Sequence, residues 1–562
     1  MPRINRSTAD KYQKTKLVWF LLYLLIFLLV MATASVQLFP DRRIVQQSQK
    51  QYWANVSISA TRGNIIDRNN IPLAVSKPVV SFFIDPKDWD IRNASILRTY
   101  FGVDIEKKFS RPLKGRFHWV KRNVESSTAM SLINKKVPGL YTYTEKNRIY
   151  PNGSVGFHIL GFCDVDNYGQ AGIEHAWNNV LYSPPKTKFR TRGRKTSLVE
   201  TFADTDGMAS YGNGTIKLTI DSQIQQIVET RLSEGAKSID AKWAAAVCIN
   251  PHTGEVIAMA SYPTIDANLR KNLLNMEATR NNVIGRVYEP GSIFKPITMS
   301  ISLDNAGISK TSTYSCSGRI RVADKIISDV NHKAHGIQSL TQVLMNSCNI
   351  GMSILSMRVS NYDAYGLLKE FGFGEKSEIE MSGEESGLIK SPEEWLGTVP
   401  ANIFIGQGIA VTPLQLVMGI SCIANGGELL KPYVVSEVID STGKIIHKGS
   451  KRVRSQPISS ETASFVRSAM EMVVSEGGGK RAKSDKVKIA GKTGTAQIAN
   501  KGIYQKGRYV ASFVGFWPAD KPEYVLLVSL GEPQGSRYYG GLISAPVFKS
   551  IVEDIIQISP EK

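Results

Sequence analysis

From Leu17 to Phe39 no charged side chain interrupts a run dense in Leu, Val, Ile and Phe. At helical rise that run is long enough to cross the hydrocarbon of a bilayer, and it predicts one transmembrane helix over 17–39. Arg3, Arg6, Lys11, Lys14 and Lys16 precede it against one acid, Asp10, a bias that keeps the 1–16 tail cytoplasmic and sends the rest across the membrane. A cleaved signal peptide is the competing reading, because Ala32-Thr33-Ala34 resembles a cleavage site. The apolar run, however, continues through Val36, Leu38 and Phe39. Either way the bulk of the chain is exported.

Past Pro40 the pattern turns polar and Gln-rich up to Gln51, so 40–55 reads as a stalk that could extend the anchor as a juxtamembrane helix. Over 56–215 short apolar runs alternate with Gly, Pro, Asn and Asp turns, which predicts an elongated, strand-rich module with no evident catalytic core. The six basic residues between Lys186 and Lys195 read as a solvated hairpin or loop. At Ile216 the pattern changes. Ile216 to Ile220 predicts a strand, Asp221 a cap for the helix that follows, and Ala244–Ile249 with Val256–Ala260 an antiparallel hairpin. Helical candidates at Leu340–Met345 and Leu414–Ile423 come next, then strands at Val510–Trp517 and Tyr524–Leu530 and a closing helix at Val547–Ile556. Strands first, helices in the middle and strands last predict an α/β layered domain over 216–562.

A length of 562 residues requires more than one folded unit, and 42% hydrophobic with 21% charged residues excludes both disorder and a polytopic membrane protein. The net charge of +20 suits an anionic polymer or membrane surface. With no zinc-finger spacing and no aromatic RNA-binding signature, no nucleic-acid partner is expected. Five cysteines, at 163, 248, 316, 348 and 422, are too few and too scattered for a disulfide framework or a zinc site and read as small apolar residues. His332-x-x-His335 is set aside as a metal site, for want of a third ligand at sensible spacing. Neither metal nor cofactor is expected.

The chemistry begins at Pro290-Gly291-Ser292-Ile293-Phe294-Lys295-Pro296. A Ser-x-x-Lys occurs about two or three times by chance in a chain this size, and Ser183-Pro184-Pro185-Lys186 and Ser441-Thr442-Gly443-Lys444 match as well. Only at 292 does the context place the serine at a helix start, with Lys295 on the same face, where a neutral amine could take the hydroxyl proton. Desolvation and nearby cations would have to lower that amine's pKa. About 55 residues on lies Ser347-Cys348-Asn349, and about 200 on lies Lys492-Thr493-Gly494-Thr495. The ordered set is far more specific than any member.

In it Ser347 could pass a proton between lysine and leaving amine, and Asn349 could fix both Lys295 and a substrate amide. Lys492 would supply charge for a substrate carboxylate, helped by the Thr493 and Thr495 hydroxyls. Gly494 would clear the strand edge for substrate, and the Thr495 amide could donate to an oxyanion.

Tyr288-Glu289-Pro290-Gly291-Ser292, Gly406-Gln407-Gly408 before Thr412-Pro413, Ala490 to Ala496, and Tyr539-Gly540-Gly541 with Ala545-Pro546-Val547-Phe548 resemble class B penicillin-binding proteins. Upstream, Arg62 to Arg68, Arg148-Ile149-Tyr150-Pro151 and Gly172-Ile173-Glu174 resemble the motifs of that class's N-terminal non-catalytic (dimerisation or pedestal) module. The resemblance implies a penicilloyl-serine transferase fold, an antiparallel sheet packed with helices. It implies D,D-transpeptidation of peptidoglycan stem peptides through an acyl-enzyme on Ser292, with β-lactams as substrate mimics. Asn349, where elongation-type relatives tend to carry Asp, points to the division-specific branch. No glycosyltransferase module is recognised, so an FtsW-type polymerase acting on lipid-linked glycan strands, with other divisome proteins, is the expected partner. The cytoplasmic (inner) membrane is the expected location. No PASTA repeat is expected after Ile556. Rival readings are an elongation-type transpeptidase, a β-lactamase or D,D-carboxypeptidase, and a non-catalytic β-lactam-sensing scaffold.

Overall fold

A computed structural model describes residues 6–38, 53–58, 61–114, 117–184, 186–191, 213–500 and 503–558. The chain divides into two units, one of Met1–Ser59 with Pro185–Ala209 and one of Ala60–Pro184 with Ser210–Lys562. In the first, Arg6–Leu38 is one helix, and its 23-residue segment Gln13–Ser35 is long and apolar enough to cross a membrane. Also in it, Trp53–Ile58 pairs antiparallel with Lys186–Thr191. Part of the basic run read as a hairpin or loop is thus a strand whose partner is remote in sequence. Residues 192–195 and the proposed juxtamembrane segment 41–51 lie outside the described residues.

The second unit is built on two sheets. In chain order their strands are β1 (Ile65–Ile66), β2 (Pro72–Ile84), β3 (His118–Val124), β4 (Leu140–Ile149), β5 (Thr215–Leu218), β6 (Trp243–Ile249), β7 (Val256–Tyr262), β8 (Val435–Ile439), β9 (Ile445–Lys448), β10 (Ala490–Asn500), β11 (Ile503–Trp517) and β12 (Tyr524–Gly531). The helices that matter for the site are α1 (Ser222–Ser238), α2 (Lys295–Asn305), α3 (Leu340–Met345), α4 (Asn349–Ser356), α5 (Pro413–Asn425), α6 (Ser460–Ser475) and α7 (Gly540–Ile558).

One sheet runs β9-β8-β5-β1-β2-β3, with β4 also on β2. Within it β1 and β5 pair in parallel, so strands from the two sides of residue 215 share one sheet. The other sheet runs β7-β6-β12-β11-β10, antiparallel throughout. Its strand β6 is apolar and buried at every position because both faces are covered. Ala245 and Val247 of β6 face the core with Ile297 of α2 and Leu414 of α5. The alternate residues Ala244, Ala246 and Cys248 face Val228 of α1 and Phe548 of α7.

Helix starts follow the cap residues legible in the chain. Asp221 accepts from the Gln223 amide (3.0 Å) at α1, and Ser339 with Gln342, like Thr412 with Gln415, closes a reciprocal capping box at α3 and α5. The 56–215 stretch carries helices beside its strands. Ala94–Phe101, Val103–Phe109 and Ser126–Asn134 are helices, packing Leu97, Phe109 and Leu132 against Phe82 and Ile84 of β2.

The three upstream motifs meet in one buried ion cluster. Arg62 pairs through Nε with Glu174, and its Nη1 donates to Asn178 Oδ1 at 2.7 Å. Arg148 Nε reaches the other Glu174 oxygen at 2.6 Å, and its Nη1 donates to the Gly63 carbonyl at 2.6 Å. Burial alone would raise the Glu174 carboxyl, but Arg148 and then Arg62 outweigh it and hold the group below its usual value. A few residues on, Asp67 accepts from the amide and hydroxyl of Ser222 (3.1 and 2.7 Å), and Arg68 N donates to Ile220 O. The motif therefore ties the upstream strands to the start of α1.

Candidate active site

Ser292 lies in the tight turn Gly291–Phe294, which leads directly into α2. The turn is possible because Gly291 adopts φ +57°, and its amide donates to the Gly406 carbonyl at 2.8 Å. A Cβ at Gly406 would stand 2.1 Å from the Gly291 oxygen, which explains a glycine there. Glu289 accepts from the Gly408 amide (2.9 Å), so both recognised glycines pack against the Ser292 turn or its approach.

Lys295 is fully buried, and its Nζ donates to Asn349 Oδ1 (2.7 Å), to the Ser347 carbonyl (2.6 Å) and to Ser347 Oγ (3.3 Å). Lys492, equally buried, donates to the same Ser347 Oγ at 2.9 Å. Two lysines, one serine and one asparagine distant in sequence are thus joined by hydrogen bonds. Burial pushes the Lys295 amine down to about 8, with Asp329 opposing the shift. Lys492 is pushed well below the lysine range, by burial first and by the charge of Lys295 second.

Ser347 holds φ +55°, a left-handed conformation costly for a non-glycine residue, at the junction of α3 and α4. Asn349 is fixed on three sides. Its side-chain NH2 donates to the Ser328 carbonyl (2.9 Å), its Oδ1 holds Lys295, and its amide donates to Asp329. The contact with Lys295 is one of the two that the sequence reading assigned to this side chain.

β10 is the outermost strand of its sheet, and it packs against the Ser292 turn. Gly494 serves that packing. A Cβ there would lie 2.8 Å from Ile293 Cγ2 and 3.2 Å from both the Ile293 amide nitrogen and the Pro290 oxygen. The glycine is required by the close approach of β10 to the Ser292 turn, rather than by clearance for substrate alone. Gly494→Ala should therefore strain the Ser292 turn by about 1–3 kcal/mol and slow acylation by labelled penicillin about 5- to 150-fold, with the melting transition retained. Thr495 Oγ1 accepts from the Gly540 amide at 3.0 Å and secures the start of α7.

Ser292, Ser347, Thr493, Gly494 and Thr495 line a groove of about 710 Å³. Lys492 does not line it. The cations that do are Lys480 and Arg481, exposed and without an ion pair among the described residues, and the sequence reading passed over both. Their signal is a basic pair directly after Gly477-Gly478-Gly479. Tyr509, Tyr538 and Tyr539 form a stacked wall of the same groove, with centroids 4.3 and 4.5 Å apart. The two histidines set aside as a metal pair part company here: His332 is exposed, whereas His335 stands in a four-donor cluster with Cys316, Asp329 and Cys348.

Residues 244–553 match the penicillin-binding protein transpeptidase domain, and residues 57–208 match the penicillin-binding protein dimerisation domain. The chain is 31% identical to stage V sporulation protein D of Bacillus subtilis over 98% of this chain and 86% of that one. It is 30% identical to the peptidoglycan D,D-transpeptidase FtsI of Escherichia coli K12 over 93% and 88%. The crystal structure of penicillin-binding protein 3 from Mycobacterium tuberculosis, complexed with aztreonam, superposes with a TM-score of 0.69 at 25% identity, covering 90% of this chain and 98% of that one. The chain belongs to the penicillin-binding protein transpeptidase family.

Proposed function

We propose that the chain is a peptidoglycan D,D-transpeptidase in which Ser292 is the nucleophile. The observation that carries this reading is the junction of Lys295, Ser347, Asn349 and Lys492 beside the groove that Ser292 lines. Ser292 Oγ attacks the carbonyl of a D-Ala-D-Ala bond as its proton passes to the neutral amine of Lys295. The tetrahedral oxyanion is met by the amides of Ser292 and Thr495. D-Ala leaves with a proton relayed through Ser347, and an amine from a neighbouring stem peptide then takes the acyl group. β-Lactams acylate the same serine. Thr493, Gly494 and Thr495 hold the donor strand along the open edge of β10, and Lys480 and Arg481 join them in meeting its terminal carboxylate.

Lys295 is the better base because Asn349 and Ser347 aim its amine, while Lys492 tunes the hydroxyl of Ser347. Residues 216–562 form the transpeptidase domain, 56–215 a dimerisation or pedestal module, 40–55 a stalk, 17–39 the transmembrane helix and 1–16 a cytoplasmic tail. In this orientation the catalytic part works outside the cytoplasmic membrane. Septal wall synthesis with an FtsW-type glycosyltransferase and other divisome proteins is the physiological setting, a reading supported by Asn349 and by likeness to FtsI.

The test is the fate of a β-lactam adduct. The full-length chain in detergent, given labelled penicillin, should keep the label for many minutes, and mass spectrometry should find it on Ser292. Release within seconds would identify a hydrolase, and an adduct on another serine would overturn the site.

A further inference from the structure

We propose that Cys316, Asp329, His335 and Cys348 form a zinc site that staples the segment 313–339 to the catalytic loop. Their four donor atoms all lie within 4.8 Å of one another. Asp329 Oδ2 is 3.0 Å from Cys316 Sγ, 3.1 Å from Cys348 Sγ and 3.3 Å from His335 Nδ1, and Cys316 Sγ is 3.6 Å from that nitrogen. A tetrahedron with metal–ligand bonds of about 2.0–2.3 Å has edges of about 3.3–3.8 Å, so small shifts would bring the donors to a common centre. Two thiolates, an imidazole and a carboxylate are a zinc donor set. Magnesium and calcium, which prefer oxygen, are disfavoured. Binding of Zn²⁺ displaces one proton from each thiol, giving a centre of net charge −1 with neutral His335 and ionised Asp329.

The second observation is how little else holds this segment. It consists of two two-stranded sheets, Thr313–Cys316 with Gly336–Ser339 and Arg319–Val322 with Lys325–Ser328. Ile326, Val330 and Ile337 are more than half exposed. Of its buried apolar side chains Cys316 alone joins the main core, with Tyr314 and Ile320 partly buried against it, and the separate small cluster beneath the segment has Val322, Ile327 and Ala401 as its buried members. So little apolar area is a poor match for the entropy of ordering a segment of this length, and small units of this kind are commonly held by a metal or a disulfide. The ligands sit where a staple would act. Cys316 and His335 are joined by a backbone bond at one end of the segment, and Cys348 caps α4 through its sulfur, which accepts from the Gly351 amide at 3.3 Å. Asp329 also accepts from the Asn349 amide through its other oxygen, so the metal would hold the residue that positions Lys295. The ligands at 316, 329, 335 and 348 follow no compact motif, which is why their spacing conceals them.

The test uses the full-length chain in detergent, incubated with zinc sulfate and then gel-filtered. About one zinc per chain should be retained. Cobalt in its place should give the thiolate-to-metal charge-transfer band and the visible bands of a tetrahedral centre. Cys316→Ser and His335→Ala should each weaken retention by more than about tenfold, and circular dichroism reports whether they fold. Failure of the wild-type chain to retain zinc would overturn the proposal whatever the variants do. So would equal retention by folded Cys316→Ser, or a Cys316–Cys348 disulfide in the purified protein. Metal content is read without reference to acylation, so the result stands apart from the assignment of Ser292.

Discussion

Replacing Lys295 by methionine should slow acylation of Ser292 by labelled penicillin by about 10²- to 10⁴-fold, the usual contribution of a positioned general base. Methionine fills a fully buried site with little change in volume but cannot accept a proton. The informative readout is the pH profile. Burial brings the Lys295 amine to about 8, so below that pH it is mostly ammonium and cannot serve as base, and above it the neutral form dominates. The wild-type acylation rate should therefore rise about tenfold per pH unit on the acid side and level off above pH 8 or so. The variant should lose this rise. Asn349→Ala should behave differently. It removes the acceptor at 2.7 Å that aims the amine and steadies its charged form, so the rate falls while the rise remains, displaced to lower pH. A Lys295→Met variant that kept both the inflection and a rate within about tenfold of wild type would take the base role away from this residue and move it to Lys492.

The features readable from sequence are those set by neighbours in the chain. Asp221 before α1, the Asn250 to Gly254 turn between β6 and β7, and the Pro290-Gly291 break before Ser292 are local signals, and each element stands where its signal put it. The ordered Ser-x-x-Lys, Ser-x-Asn and Lys-Thr-Gly set was legible for a different reason, since only the joint occurrence is improbable. The missed features depend on contacts between distant segments. The helix Ala94–Phe101 did carry its apolar spacing at Ala94, Leu97 and Phe101, but the surrounding turn residues masked it. The burial of Lys492 could not be read, because it follows from contacts with segments remote in sequence, such as Ser347, which leave Lys480 and Arg481 as the exposed charge of the groove. Arg62, Arg148 and Glu174 were noticed by resemblance alone, and what they do follows from one fact: each is buried, and each has its counter-charge in another motif.

That last cluster carries the largest expected effect on stability. Glu174→Ala leaves two guanidinium groups in the interior with no carboxylate between them, a loss of about 3–5 kcal/mol, against a total of about 5–15 kcal/mol for a typical domain. The damage should not stay local. Arg148 holds the Gly63 carbonyl beside β1, β1 pairs with β5, and Asp67 grips the start of α1, so melting upstream draws on the catalytic half. The variant should therefore melt at lower temperature and lose penicillin acylation together, although position 174 does not line the active-site groove. Because the Glu174 carboxyl is held below its ordinary 4.5, the stability it contributes is fully present above that pH. That contribution is lost only as acid takes the pH down through the depressed value. Between pH 6 and 9 the gap between wild type and variant should then be constant, while in stronger acid it should close. Replacing all three members by apolar side chains of similar volume should recover much of the loss, since the cost lies in the unpaired charges rather than in the missing pair. A Glu174→Ala chain that melts within about 1 kcal/mol of wild type would mean that water reaches the two arginines and that the cluster does not hold the two halves together.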